Sequence, residues 1–107
     1  MIDRQTIQAM AAKIAERFRP QRVVLFGSYA RGEATEDSDV DLLVVMERPG
    51  PRGKRSAPII RMLAEEYALP VDVVVRSSEA IERWEDVANS VSRRILEEGI
   101  VLYERGK

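Results

Sequence analysis

Residues 23–45 read VVLF-GSYARG-EATED-SDVDLLVV, a polar segment flanked by two apolar runs. Its two apolar runs, residues 23–26 and 42–45, have the composition of buried strands. Between them, a Gly-Ser pair is followed by ten residues and then by Asp39-Val40-Asp41. Because alternate residues of a strand point the same way, Asp39 and Asp41 are predicted to project from one face, beside a turn that can hold a phosphate.

The composition restricts the class of protein and the side chains available for catalysis and metal binding. The chain has 107 residues, a hydrophobic fraction of 45% and a net charge of −1, which together predict one globular domain over residues 1–107. The near-neutral charge argues against a nucleic acid as a direct partner. With no cysteine and no histidine, a general base would be a carboxylate or, failing that, Lys or Tyr. A metal would take oxygen ligands, which favours Mg²⁺, Mn²⁺ or Ca²⁺.

The sequence has neither a signal-peptide pattern nor an apolar run of membrane length, so we expect a cytoplasmic protein without a membrane partner.

The remaining periodicities predict alternating helices and strands. Asp3 is the expected N-cap of a first helix that Pro20 stops, and the breaker cluster at residues 49–53 predicts a loop. Strands are predicted at residues 22–26, 39–47, 71–75 and 100–103. A short helical turn is predicted at residues 28–31. A second helix, ended by Pro70, is predicted to have an apolar face of Ile59, Ile60, Leu63, Ala64 and Tyr67. One or two further helices are predicted over about residues 78–98, with inward-facing Ile81, Trp84, Val87, Val91 and Ile95. This order predicts an α/β or α+β fold.

The carboxylates are the candidate catalytic groups. Asp39 and Asp41 can share one divalent ion or help to bridge two. Asp72 interrupts the valine run of the third predicted strand, where burying a charge would be costly. If that strand lies beside the second, Asp72 can complete the metal site and accept the proton of an attacking hydroxyl.

The Gly-Ser turn is the candidate phosphate site. Gly27 lets backbone approach a ligand closely, Ser28 can donate from its hydroxyl, and Arg31 offers a planar donor fork. Together with the carboxylates, these residues predict in-line attack on the α-phosphate of a nucleoside triphosphate. Taken singly, each residue also has an ordinary structural explanation. Ser28 would be an N-cap, Arg31 would pair with Glu33 or Asp37, and Asp72 would pair with an arginine at a strand edge.

The joint pattern of Gly27-Ser28, ten residues, Asp39-Val40-Asp41 and an isolated Asp72 resembles the nucleotidyltransferase superfamily that includes DNA polymerase beta and kanamycin nucleotidyltransferase. The short length, the Gly-Ser-x-Ala-Arg-Gly form and the ending at residues 98–103, EGIVLY, are similar to its minimal branch. The resemblance implies the nucleotidyltransferase fold, a small mixed β-sheet flanked by helices. It also implies ATP as substrate and Mg²⁺ as cofactor, with two ions expected.

The resemblance also assigns roles to residues and names a partner. Asp39 and Asp41 would be metal ligands, Asp72 a third ligand and the base, and Ser28 a triphosphate contact. Minimal nucleotidyltransferases are often antitoxins of toxin–antitoxin pairs, with an all-helical HEPN ribonuclease as the toxin. The resemblance thus implies transfer of AMP to a tyrosine of such a toxin.

Two alternatives stay open at this point. The chain could act on a small molecule or a nucleic acid as one subunit of a larger enzyme, or it could neutralise a partner by contact without catalysis. Because 107 residues leave no room for the domain that grips the second substrate in larger relatives, we expect a partner protein or a second copy to supply that surface. A homodimer or a hetero-oligomer would fit this expectation.

Overall fold

The computed structural model describes residues 2–47, 55–84 and 90–106. It contains five helices and four strands within those residues. The helices are α1 (Arg4–Phe18), α2 (Ser28–Arg31), α3 (Ala57–Glu66), α4 (Ser78–Trp84) and α5 (Ser90–Glu98). The strands are β1 (Arg22–Phe26), β2 (Val40–Val45), β3 (Val71–Arg76) and β4 (Ile100–Glu104). The predicted loop at residues 49–53 lies outside the described residues.

The four strands form one mixed sheet in the order β3-β2-β1-β4. β1 pairs antiparallel with β2 and with β4, whereas β2 and β3 pair in parallel. Parallel neighbours need a crossover connection, and α3 lies in the connection between β2 and β3. The sheet and its flanking helices confirm the predicted α/β (α+β) class and the small mixed sheet.

Each face of the sheet carries its own apolar cluster. On the first face, β-strand residues such as Leu25 and Leu42 pack with the buried sides of α1 and α3. On the second face, Val24 and Leu43 pack with Ile81 of α4 and with a buried residue of α5, Ile95. Alternate strand residues point to opposite faces, so even-numbered residues of β2 face the first cluster and odd-numbered residues the second.

The first helix forms as predicted. Asp3 caps it, accepting a hydrogen bond from the backbone N–H of Thr6 at 2.7 Å. The helix ends at Phe18 because Arg19 adopts a left-handed conformation, with φ 50°, and Pro20 cannot continue a helix. Four residues at helical spacing are buried along one side, namely Ile7, Met10, Ala11 and Ile14.

Several boundaries differ from the prediction. β2 is shorter than residues 39–47, and β3 and β4 each extend one residue further than predicted. α3 ends at Glu66, well before Pro70, with Tyr67 as its C-cap. Ile60 and Ala64 are exposed, because the sheet contacts only a narrow side of α3 that carries Ile59 and Leu63. Ile81 and Ile95 are buried as predicted, whereas the side chains of Trp84, Val87 and Val91 lie outside the described part of the structure.

Across residues 2–47, 55–84 and 90–106, every helix is too short or too polar to cross a lipid bilayer.

Candidate active site

Two carboxylates lie side by side where β2 and β3 begin. Asp41 of β2 is the register partner of Asp72 of β3, and adjacent strands are about 4.8 Å apart. On its other side, Asp41 is the partner of Phe26, the last residue of β1. Because Leu42 and Val73 are buried in the first cluster, Asp41 and Asp72 point to the opposite face, where α4 and α5 pack.

The prediction placed Asp39 within the second strand. In the structure, Asp39 lies one residue before β2 begins. Its neighbour Val40 is fully buried, which leaves Asp39 on the same side of the chain as Asp41. Asp39 and Asp72 are exposed, whereas Asp41 is half-buried. The three carboxylates therefore line the rim of the second face, with Asp41 the deepest of them.

Asp41 carries its charge in an unfavourable environment. Burial raises the pKa of Asp41 from 3.8 to about 6, and the negative charges of Asp72 and then Asp39 add to the rise. Arg31 acts in the opposite direction and lowers the pKa of Asp41. Like charges held this close disfavour ionisation of one another, so the arrangement favours a cation between them.

Gly27 forms the turn between β1 and α2, and only glycine suits its position. Its backbone has φ 74° and ψ −156°, a combination that residues with a Cβ atom adopt at a cost. A Cβ added to Gly27 would also overlap the carboxylate oxygen Oδ2 of Asp41. The turn is therefore packed directly against the deepest carboxylate of the site.

Ser28 begins α2 and is not its cap. Gly27 occupies the N-cap position, and its carbonyl accepts hydrogen bonds from the N–H groups of Ala30 and Arg31 at 3.1 Å each. The first N–H groups of such a turn lack partners within the helix. The explanation of Ser28 as a capping residue is therefore wrong, and its half-buried side chain stands beside free N–H groups that suit an anion.

Arg31 makes two ion pairs at the end of α2. Its Nε donates to Glu33 Oε2 at 3.0 Å, and its Nη1 donates to Glu98 Oε2 at 3.3 Å. The pair with Glu33 was one of the structural alternatives for Arg31, whereas no ion pair with Asp37 occurs among the described residues. Both carboxylates raise the pKa of Arg31. Sequence reasoning missed Glu98, because no spacing rule connects the end of α5 to α2.

The donor set at this rim suits a hard divalent cation. Asp39, Asp41 and Asp72 lie along this rim, and oxygen is the ligand that Mg²⁺ prefers. In the part of the chain that the structure describes, no three acidic side chains are close enough to form a ready-made metal cluster. No hydrogen bond or ion pair among those residues engages Asp39, Asp41 or Asp72, so their oxygens are available to ligands.

Comparison with known sequences identifies related proteins. A family model described as a nucleotidyltransferase domain matches residues 7–102. A protein of Methanocaldococcus jannaschii, provisionally named as a protein adenylyltransferase, is 36% identical over 93 residues, covering 87% of this chain and 88% of that protein. Protein adenylyltransferase MntA of Thermococcus cleftensis is 40% identical over 72 residues, covering 67% of this chain and 72% of its own.

Solved structures share the fold. A chain in the crystal structure of a toxin–antitoxin with AMP-PNP matches with a TM-score of 0.68 and 19% identity, over 92% of this chain and 74% of that chain. The complex of tri-AMPylated Shewanella oneidensis HEPN toxin with MNT antitoxin contains a match with a TM-score of 0.57 and 20% identity, over 91% of this chain and 71% of that chain. At these identities the likeness concerns the fold.

Proposed function

Since the chain belongs to the nucleotidyltransferase family, we propose that it moves AMP from ATP to a hydroxyl group of a protein. The chain is a nucleotidyltransferase, and its relatives from Methanocaldococcus and Thermococcus, both named for protein adenylyltransfer, support a protein acceptor. The family match over residues 7–102 supports treating residues 1–107 as a single minimal nucleotidyltransferase domain.

The observation that carries this proposal is the pairing of Asp41 with Asp72 beside the Gly27 turn. The cross-strand register puts two carboxylates on one face, and the tight fit of Gly27 against Asp41 puts the Gly27 turn, the proposed phosphate site, next to them. A triphosphate held at the turn would thus have its reacting phosphorus close to the carboxylates. A chain of the same fold belongs to the toxin–antitoxin structure with AMP-PNP, which supports ATP as the nucleotide.

Each residue has a proposed role. Ser28 and the first N–H groups of α2 bind phosphate oxygens, and Arg31 adds charge-assisted hydrogen bonds. Asp39, Asp41 and Asp72 would hold Mg²⁺, which would supply positive charge to neutralise the attacking and leaving oxygens; two such ions are expected.

The reaction is an in-line displacement. The acceptor oxygen forms a bond to the α-phosphorus, the bond from that phosphorus to the bridging oxygen breaks, and pyrophosphate leaves. Asp72 accepts the hydroxyl proton. It is the more exposed of the two paired carboxylates, so an incoming hydroxyl can reach it, whereas Asp41 lies against the Gly27 turn.

The proposed acceptor is a tyrosine of a HEPN-type toxin, which makes this chain the antitoxin of a pair. Its support is a fold shared with the MNT antitoxin that is bound to a tri-AMPylated HEPN toxin in the Shewanella complex. The same complex also supports stable association between the two partners. Neutralisation by contact alone is therefore the competing function, and the experiment below separates it from catalysis.

The test is intact-mass spectrometry of the partner protein encoded beside this chain, after incubation with the chain, ATP and Mg²⁺. A gain of one or more adenylyl masses on the partner supports the proposal. The Asp39→Ala/Asp41→Ala variant should produce no gain, whereas Asp37→Ala, an exposed carboxylate in the same loop, should behave as wild type. A partner that is bound and silenced without any gain in mass would refute catalysis in favour of contact.

A further inference from the structure

Glu98 has no role in the proposed chemistry, yet its carboxylate contacts the phosphate-binding turn. It is the last residue of α5, and its Oε2 lies 3.3 Å from Arg31 Nη1. Glu33, just after α2, accepts from Arg31 Nε at 3.0 Å. One guanidinium is thus held at two of its nitrogens, by carboxylates from two separate parts of the chain.

Gly99 explains how Glu98 reaches α2. A Cβ at Gly99 would lie 2.5 Å from the carbonyl oxygen of Ile95 and 2.6 Å from Val24 Cγ1, so only glycine fits this passage without displacement. The chain therefore turns from α5 into β4 directly on top of β1, the strand that leads into Gly27. Ile95, which is 5% exposed, anchors the same helix end in the core.

The remaining donors of Arg31 are available to a ligand. A guanidinium carries five N–H donors in one plane, and the two ion pairs use one on Nε and one on Nη1. No other described group accepts from Arg31. The donors left over belong to Nη1 and Nη2, and their direction is fixed once the plane of the guanidinium is fixed.

We propose that Glu98 is a positioning residue for ATP binding: it fixes the plane of Arg31 so that the remaining N–H groups face the triphosphate. This inference rests on the proposed function, which makes Arg31 a phosphate ligand. The side chains of Arg31 and Glu98 are 30% and 37% exposed, so water screens the opposing charge of Glu98. The orientation of the guanidinium then matters more for affinity than the charge that Glu98 adds.

The experiment measures the dissociation constant of ATP with Mg²⁺ by titration calorimetry, together with KM for ATP and kcat for AMP transfer. Glu98→Ala should raise both the dissociation constant and KM about fivefold, the effect expected when a partly exposed charged hydrogen bond is lost, with kcat unchanged. Glu98→Gln should stay near wild type, because its amide oxygen can accept the same bond. Glu98→Asp, which retains the charge but shortens the side chain, should resemble Glu98→Ala.

Glu97→Ala is the matched control, because Glu97 lies on the same helix and pairs with Arg93 instead, at 3.8 Å. In an Arg31→Ala background, Glu98→Ala should cause no further loss of affinity, since Glu98 acts through Arg31. An equal loss in both backgrounds would show a general effect on the fold and overturn the inference. Unchanged or tighter binding by Glu98→Ala would overturn it too, tighter binding meaning that Glu98 competes with the triphosphate.

The two proposals fail in different ways. A wild-type chain that does not bind ATP with Mg²⁺ overturns the proposed function and, with it, the role of Glu98. A wild-type chain that binds ATP and a Glu98→Ala variant that binds it equally well overturn the inference alone.

Discussion

Replacing Asp41 with Asn should stabilise the protein at neutral pH while abolishing AMP transfer. Asp41 is half-buried among like charges, and burial, Asp72 and Asp39 raise its pKa to about 6. The ionised carboxylate therefore destabilises the folded chain when no cation is bound. Asparagine has nearly the same shape and removes the charge, so it relieves the repulsion and loses the proposed metal ligand at the same time.

The magnitude follows from proton linkage. The unfolded carboxyl titrates near 3.8 and the folded one near 6, so the folded state holds more protons between these two values. The free energy of unfolding therefore falls as the pH rises through this window, and it stays lower above the window. The full difference between the folded and unfolded pKa of Asp41 corresponds to about 3 kcal/mol of unfolding free energy. Because part of Asp41 faces water, screening reduces the expected effect to about 1 kcal/mol.

The assay is urea unfolding followed by circular dichroism, with EDTA present to remove divalent ions. At about pH 8, Asp41→Asn should be about 1 kcal/mol more stable than wild type and should melt about 4–8 °C higher, and near pH 4 the difference should vanish. Asp37→Asn, in the exposed loop before β2, should change stability little at either pH. An Asp41→Asn variant that is less stable than wild type at pH 8 would refute the electrostatic explanation.

Three further predictions concern the turn, the α5 anchor and the metal. Gly27→Ala should lower the free energy of unfolding by about 3 kcal/mol and Gly32→Ala by about 1 kcal/mol. Both glycines have positive φ, but only at Gly27 would the added carbon overlap Asp41, so equal losses in urea unfolding would contradict the steric argument. Ile95→Ala should lower the free energy of unfolding by about 2–4 kcal/mol and Leu96→Ala by less than about 1 kcal/mol, because their side chains are 5% and 37% exposed. Urea midpoints that rank the two variants the other way would exclude Ile95 as the anchor of α5. EDTA should stop AMP transfer in the mass assay and added Mg²⁺ should restore it, whereas transfer that continues in EDTA would rule out the proposed metal role.

Much of the site could be predicted because its signals are local. A Gly-Ser turn after an apolar run, and two acids at strand spacing, are read directly from neighbouring residues. The structure has the turn and the strand, although Asp39 lies one residue before the strand begins. The position of Asp72 needed one further assumption, that β3 lies beside β2, and the register confirms it. The roles of these residues in catalysis stay predictions.

The features that sequence reasoning missed depend on contacts between distant segments. Glu98 reaches Arg31 only because α5 ends on top of β1, and no pattern within α5 shows where that helix ends in space. Helical periodicity predicts that Ile60 and Ala64 of α3 lie near the core, but both are exposed. The sheet it packs against decides how much of that face is covered.

The parallel pairing of β2 with β3 has a consequence for the order in which the molecule folds. Asp41 and Asp72 are 31 positions apart in the chain, and the connection that contains α3 must close before they meet, whereas the antiparallel pair of β1 and β2 needs only a shorter loop. Closing longer loops costs more entropy and slows folding. The pairing of β2 with β3 is thus expected to follow that of β1 with β2, and Asp41 and Asp72 come together only once β3 has joined the sheet.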